Sequence, residues 1–322
     1  WWFIWLKNDL YYVESMHYFR MYDDYATTWG SEAEKTFGLF YDPYNKHVSR
    51  DVDLAEPKPT AVAYQEMAGG TGSLSIYQDF LNGNYTTKIV MHRGYSTLER
   101  ENTVAAFIKA GEQTDVFGIE TDVYLTKDNK PILIHDDNTS RVTFGKYNLN
   151  VKSSTYDELR AIKLPDINGN PDVHLIPNVE EYSGVLNSYN KQGFLELKED
   201  FTKEQLKTIF DEFAKYTNLS KITTISFHKD ALLRLREMYP NMELMLLCNN
   251  LNGLDYNELK TNKIGLDVQY ESVSVSDIEN IQSQGIALNL WTVDDAQIAD
   301  DFGKRSVDYI TTDCIASFKS KD

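Results

Sequence analysis

Lys88-Ile89-Val90-Met91-His92-Arg93-Gly94 and Val116-Phe117-Gly118-Ile119-Glu120-Thr121-Asp122 are the stretches from which the rest of the chain is read. In each, a short apolar run ends in charged residues. Pro131-Ile132-Leu133-Ile134, leading into His135-Asp136, repeats the pattern. Continuous apolar runs of this length, bounded by turn residues, read as buried parallel strands. Polar residues emerging where such strands end lie where an α/β barrel carries its chemistry. Farther on, Gly193-Phe194-Leu195 leads to Glu196 and Lys198, and Ile286-Ala287-Leu288-Asn289-Leu290 leads to Trp291.

Outward from these runs, strand and helix alternate. Strands are predicted over 88–94, 116–125, 131–136, 193–198, 221–227, 242–248, 263–269, 286–293 and 307–312. Helices are predicted over 101–112, 156–162, 179–189, 203–216, 230–238, 254–261, 276–284 and 295–302. In Lys203 to Tyr216 the spacing of Leu206, Ile209, Phe210 and Phe213 makes one apolar face. Single strands alternating with helices over this length predict an α/β fold, a parallel sheet closed as a (β/α)8 TIM barrel. An open doubly wound sheet is the alternative, but no Gly-x-Gly-x-x-Gly follows any strand, so a dinucleotide site is unsupported.

The chain of 322 residues holds one barrel and a smaller piece, and 42% hydrophobic with 25% charged residues is the composition of a globular protein. A net charge of −17 leaves no basic footprint for nucleic acid. An anionic substrate must therefore be drawn in by a local positive site. Cys248 and Cys314 have no metal-type spacing, which disfavours zinc.

Residues 1–87 read as an accessory segment and 88–322 as the barrel. Four of the five tryptophans, Trp1, Trp2, Trp5 and Trp29, lie in the first fifty residues. Phe3, Leu6, Leu10, Val13 and Met16 recur at helical spacing, so the extension is expected to be mainly helical. Glu56-Pro57-Lys58-Pro59 and Gly69-Gly70-Thr71-Gly72-Ser73 read as turns or linkers. The opening Trp1-Trp2-Phe3-Ile4-Trp5-Leu6 has no initiating Met and is too short to span a bilayer, and Trp favours the interface. It reads as the sequel to an omitted N-terminal anchor, giving membrane or cell-wall association and an extracytoplasmic rather than a cytoplasmic location. A helical cap packed on the barrel is the competing reading.

Glu120 and Asp122 are separated by one residue, so on a strand both side chains share a face. Two carboxylates aimed into a barrel mouth repel unless a cation lies between them, and hard oxygen ligands favour Ca²⁺ or Mg²⁺. A pair of solvated acids on an edge strand is the alternative. Glu196 is a candidate third ligand, and Lys198, on the same face, supplies positive charge. An acid and a lysine at that spacing are equally a plain ion pair. His92 and His135 are of the residue type that serves as acid and base near neutral pH. Arg93 is fitted to clamp phosphate oxygens in a bidentate manner. Asp136 orients an imidazole or satisfies a turn. Of the other histidines, His228 alone is placed to line the mouth.

His92-Arg93-Gly94, Glu101-Asn102-Thr103 with Ala106-Phe107, Gly118-Ile119-Glu120-Thr121-Asp122-Val123, Thr126-Lys127-Asp128 and His135-Asp136 together resemble the glycerophosphodiester phosphodiesterase family. Arg141-Val142-Thr143, Tyr156-Asp157-Glu158-Leu159, Ile176-Pro177-Asn178-Val179-Glu180-Glu181, Glu196-Leu197-Lys198, Leu290-Trp291-Thr292-Val293 and Asp308-Tyr309-Ile310-Thr311-Thr312-Asp313 continue the match in order. It covers roughly residues 88 to 314. The resemblance implies a TIM barrel that hydrolyses glycerophosphodiesters to glycerol 3-phosphate and an alcohol. It implies His92 and His135 as the acid–base pair and Glu120, Asp122 and Glu196 as ligands of one divalent metal ion. It further implies Arg93 and Lys198 on the phosphate, and Trp291 as an apolar wall of the substrate pocket. Arg100 stands where the family usually has proline and Tyr309 where glycine is common. The stretch from His135 to Glu196 is short beside members with large capping insertions, which implies an open pocket.

Three other readings compete. One is a phospholipase D-like barrel acting on lysophospholipid or sphingolipid head groups, disfavoured by Glu196-x-Lys198 and the Trp-Thr-Val strand. Another is a phosphodiesterase directed at a glycerophosphate polymer such as teichoic acid. The third is an inactive barrel used as a binding module, against which the intact charged set argues.

Overall fold

The computed structural model describes residues 85–314 and the backbone of Phe40–Tyr41 and Glu56–Pro57. The chain divides into two compact units, Trp1–Ser75 and Ile76–Asp322. In the first, Phe40–Tyr41 pairs antiparallel with Glu56–Pro57. Part of a stretch expected to be a turn is thus a two-residue strand, a length and edge position at which the missing proline N–H is tolerated. The helix expected over Phe3–Met16 and the glycine-rich stretch 69–73 lie outside the described residues.

In the second unit eight parallel strands close on themselves. They are β1 (Lys88–Met91), β2 (Val116–Leu125), β3 (Gln192–Leu197), β4 (Ile222–Ser226), β5 (Glu243–Cys248), β6 (Ile264–Gln269), β7 (Leu288–Trp291) and β8 (Tyr309–Thr312). The intervening helices are α1 (Val104–Gly111), α2 (Val179–Tyr189), α3 (Lys203–Tyr216), α4 (Lys229–Met238), α5 (Tyr256–Thr261), α6 (Val275–Ser283) and α7 (Ala296–Lys304). This is the TIM barrel expected from the alternation.

Each helix forms for readable reasons. In α3, Thr202 accepts from the Gln205 N–H while Gln205 reaches back to the Thr202 N–H, and Leu206, Ile209, Phe210 and Phe213 are buried against the barrel. Burial of one such side chain is worth about 1.5–3 kcal/mol, against about 1 kcal/mol for the cap. Packing, more than the cap, holds this helix. Inside the barrel, Val90, Phe194, Ile225, Met245, Leu247 and Tyr309 make one apolar cluster. Tyr309, the departure from glycine, fills space there: its ring centroid lies 5.9 Å from Phe117 and 5.4 Å from Phe194. The ammonium of Lys88 sits 4.4 Å from the Phe117 ring centroid, a cation–aromatic contact that partners its charge.

One predicted strand differs. Pro131–Leu133 is not a parallel barrel strand; it runs antiparallel to the end of β2, with Val123 opposite Leu133 and Leu125 opposite Pro131. The reason is length. Only Thr126 to Lys130 separate the two runs, enough for a hairpin turn, whereas a parallel crossover needs a dozen residues or more. Asn129, at φ 63°, takes the left-handed position of that turn. From there to α2 the chain builds a satellite layer: a helix over Tyr156–Arg160 and an antiparallel pair of Lys163–Leu164 with His174–Leu175. Its own core includes Tyr124, Ile132, Val142, Leu159 and Ile176.

Candidate active site

Register assembles the carboxylates. Asp122 of β2 lies opposite Glu196 of β3, and Met91, the last residue of β1, lies opposite Ile119. Strand pairing therefore sets Glu120 beside the end of β1 and Asp122 beside Glu196. One oxygen from each of Glu120, Asp122 and Glu196 lies within 4.8 Å of the others. All three residues are buried, at 2%, 0% and 9% exposure, so they are not solvated acids on an edge.

Cations and amides crowd round this set. The Lys198 ammonium lies 2.8 Å from Glu196 Oε1 and 3.2 Å from Asp122 Oδ1. Asn102 Nδ2 donates to Asp122 Oδ2 at 2.7 Å, and the Arg93 amide donates to Glu120 Oε2 at 2.7 Å. Arg93 reaches this pose with φ 54°, followed by Gly94 at φ 77°. A side chain at Gly94 would come within 2.7 Å of the Ala106 carbonyl carbon, so the turn requires glycine where it meets α1.

The charges do not balance. Burial first, then Asp122 and Glu196, holds the Glu120 carboxyl well above the usual carboxylate range. Burial and Asp122 push Glu196 up to about 8. For Asp122, burial is outweighed by Lys198, His135 and Arg93, and its pKa is lowered. Burial opposes the charge of Lys198, but Asp122 and Glu196 outweigh it and raise its pKa. Asp122 Oδ1 has only the Lys198 ammonium, 3.2 Å away and shared with Glu196, as its charged partner. Three converging hard oxygen donors, buried together, fit a divalent cation.

The two histidines are held alike. His92 Nδ1 donates to Asp313 Oδ1 at 2.9 Å, and His135 Nδ1 donates to Asp136 Oδ1 at 2.7 Å. In each ring this leaves Nε2 as the uncommitted nitrogen. Asp313 also accepts from Ser96 Oγ at 2.7 Å. His135 is placed by the hairpin, because the Ile134 amide donates to the Asp122 carbonyl at 3.1 Å. Burial lowers its pKa; Asp122 pulls the other way, and Arg93 and Lys198 lower it further.

Arg93 Nη1 donates to Glu101 at 3.0 Å and its Nε lies 3.9 Å from Asp122 Oδ2. It is therefore committed to the site's edge as well as available to an anion. Trp291 caps the apolar interior, donates Nε1–H to the Asp267 carbonyl at 3.1 Å and meets Phe227 edge to face at 5.9 Å. The half-exposed Phe227 and Trp291 form an apolar rim. His228 opens α4, and His174 lies in the satellite layer with Nε2 4.0 Å from Glu99. A cleft of about 230 Å³ opens beside His92, walled by Ser96, Thr97, Arg100 and Ile167. Ile167 comes from the satellite layer, which thus supplies part of the wall of this cleft. The guanidinium of Arg100, the departure from proline, lies 4.7 Å from the Phe144 ring.

The structure brings together His92, His135, Glu120, Asp122, Glu196, Arg93 and Lys198. Sequence reasoning misses the contacts of Asp313, Asn102 and Glu101 with the site. For Asp313 a signal exists: it follows Tyr309-Ile310-Thr311-Thr312 at a strand end, as His92 follows β1.

The pattern of the glycerophosphoryl diester phosphodiesterase family matches residues 92–317. The Bacillus subtilis protein YhdW is 30% identical over 240 residues, 70% of this chain and 93% of that protein. The glycerophosphodiester phosphodiesterase of Caldanaerobacter subterraneus is 29% identical over 237 residues, 70% of this chain and 94% of its own. Among solved structures, a glycerophosphodiester phosphodiesterase from Parabacteroides distasonis superposes with a TM-score of 0.61 at 27% identity, covering 73% of this chain and 95% of that one. An Oleispira antarctica phosphodiesterase shares the fold with a TM-score of 0.65 at 21% identity, covering 74% and 97%. Since the pattern begins at the His92 that follows β1 and runs through all these site residues, the chain belongs to the glycerophosphoryl diester phosphodiesterase family.

Proposed function

We propose that this phosphoric diester hydrolase cleaves glycerophosphodiesters to glycerol 3-phosphate and an alcohol, using His92 and His135 as the acid–base pair and one divalent cation, Ca²⁺ or Mg²⁺. One observation carries the reading: three buried carboxylates that converge within 4.8 Å of one another, flanked by two histidines that each have Nδ1 committed to an aspartate. The Oleispira relative was solved in complex with sn-glycerol-3-phosphate, which supports the product.

Glu120, Asp122 and Glu196 would hold the cation. When bound, it would supply positive charge to the phosphate oxygens and lower the barrier to attack. Arg93 and Lys198 add positive charge at the same place, which a chain of net charge −17 needs locally. His135, held towards its neutral form by burial, takes the proton of the attacking hydroxyl at Nε2. As the new P–O bond forms and the bond to the alcohol breaks, His92 gives a proton from Nε2 to the leaving oxygen. The Phe227–Trp291 rim shields the apolar part of the substrate. The attacking hydroxyl belongs to water or to the substrate's glycerol; a trapped cyclic glycerol phosphate marks the second route.

The test is release of glycerol 3-phosphate from a panel of small glycerophosphodiesters, with and without chelator. Exhaustive chelation is expected to abolish release and Ca²⁺ or Mg²⁺ to restore it. Full activity of protein shown metal-free by elemental analysis sinks the metal assignment.

A further inference from the structure

Arg141 belongs to a matched motif without being a metal ligand or an acid–base group. Its guanidinium spans two carboxylates. Nη1 and Nη2 donate to Glu101 Oε2 and Oε1 at 2.6 and 2.8 Å, while Nε and Nη2 donate to Asp136 Oδ2 and Oδ1 at 2.7 and 3.0 Å. Each carboxylate also holds a residue of the site. Asp136 Oδ1 accepts from His135 Nδ1, and Glu101 Oε1 accepts from Arg93 Nη1. His135, Asp136, Arg141, Glu101 and Arg93 thus form one unbroken chain of charge-assisted bonds. It joins the carboxylates of two segments, the loop after β1 and the segment after the hairpin.

We infer that Arg141 is a positioning residue that sets the acid–base histidine and the phosphate-binding arginine in register with each other. The inference rests on the proposed roles of His135 and Arg93. Its physical basis is the planar fork of arginine, which fixes two carboxylates at a set distance and angle as no single ammonium does. Without it, Glu101 and Asp136 each keep only one of their charged partners. The two segments are then tied here by Arg100 alone, which donates from Nη2 to the Arg141 carbonyl at 3.2 Å and lies over the Phe144 ring, touching neither carboxylate. Small misplacements of reacting groups cost rate out of proportion to their size. The Arg141 side chain is itself 45% exposed, so it contributes little to the core and the barrel is expected to fold without it.

The experiment compares Arg141→Ala, Arg141→Lys and His135→Ala on one small glycerophosphodiester in the presence of metal, with melting curves for each. Arg141→Ala is expected to lose about 10–100-fold in kcat, within the range a misplaced acid–base group costs, at a melting temperature close to wild type. Arg141→Lys is expected to recover only part of the loss, since one ammonium cannot bond both carboxylates as a fork. Guanidinium ion at low millimolar concentration should restore kcat in Arg141→Ala and leave His135→Ala unchanged. A kcat within about twofold of wild type in Arg141→Ala, full recovery by lysine, or a loss that guanidinium does not reverse overturns the inference. Wild-type turnover in His135→Ala instead overturns the catalytic reading beneath it.

Discussion

The residues at strand ends were legible because charge is costly to place at the end of a buried strand unless it meets a partner or a ligand there. His92, Glu120, Asp122 and Glu196 each follow an apolar run, and pairing across β1, β2 and β3 brings them into one mouth. What could not be read was the second partner of each group. Asn102 bonds Asp122 and Asp313 bonds His92 across 20 and 221 positions of sequence, contacts that no local pattern encodes. Asp313 yields a prediction at this scale. Asp313→Asn removes the charged acceptor at Nδ1 and lets the ring take the wrong tautomer, so kcat should fall about 10²-fold or more with the melting temperature little changed. Steady-state kinetics beside calorimetry checks it; an unaltered kcat removes Asp313 from the machinery.

The buried carboxylates give a second prediction, on pH. In the metal-free fold Glu196 is pushed up to about 8 and Glu120 is also raised, whereas the unfolded chain ionises near ordinary carboxylate values. Between those limits the folded state binds more protons than the unfolded one. Stability of the metal-free protein should therefore fall as pH rises from about 4.5 to 8. Asp122, Asp313 and Asp136, the last lowered to about 2, act in the opposite sense below the ordinary aspartate range. His135, lowered by burial, opposes the trend below the ordinary histidine value, while buried Asp267, pushed up to about 7, adds to it, so the raised acids outnumber the one histidine. For a domain of this size each kcal/mol moves the melting temperature by roughly 2–4 °C, so a drop of several degrees is expected across the window. Saturating Ca²⁺ or Mg²⁺ should lessen it by stabilising the ionised forms. A melting temperature that climbs steadily from pH 5 to 8 without metal contradicts this assignment of charge.

At the level of elements, period and length decided most of the fold, and the exception shows where they stop deciding. Pro131-Ile132-Leu133 has the composition of a buried strand and is one, but composition carries no direction. Direction came from the five-residue turn Thr126 to Lys130, whose length permits only the antiparallel return. The β1–α1 turn was not legible: the strand was expected to run on to residue 94 but ends at Met91, and the left-handed Arg93 that aims its amide at Glu120 has no signature in the sequence. This turn is the place to test the coupling of backbone to site. Gly94→Ala puts a methyl group against Ala106 at a positive φ, a strain of about 1–3 kcal/mol. Relief of that strain must move Arg93 or α1. Urea melts should show the loss of stability, and turnover should fall further than the lost folded fraction accounts for. A variant with reduced stability but unchanged turnover per folded molecule would uncouple the turn from the chemistry.

At the scale of the whole molecule, the sequence pattern puts the boundary between the accessory segment and the barrel at residue 87, and the compact units divide after Ser75. The barrel half was readable because a repeated strand–helix unit leaves a repeated trace; the first 75 residues carry no such repeat, and only their aromatic content speaks. No helix among the described residues is long and apolar enough to cross a membrane, so attachment to a surface would have to come through interfacial contact or through the chain beyond them. Removing residues 1–75 separates the two roles open to this segment. Because the proposed acid–base residues, their aspartate partners and the closing β8–β1 pair all lie in the second unit, the truncated protein should hydrolyse small glycerophosphodiesters at close to the full rate per folded molecule. If the aromatic segment serves a surface, the same truncation should lose binding to anionic vesicles or activity on a glycerophosphate polymer. If it serves as a cap, the truncated barrel should melt earlier or aggregate through newly exposed apolar surface, and the full chain should ignore both vesicles and polymer. Tryptophan suits either environment, since its ring packs against protein as readily as it lies at a lipid interface. Sedimentation with vesicles and calorimetry, run on both lengths of chain, decide between lipid and barrel as its partner.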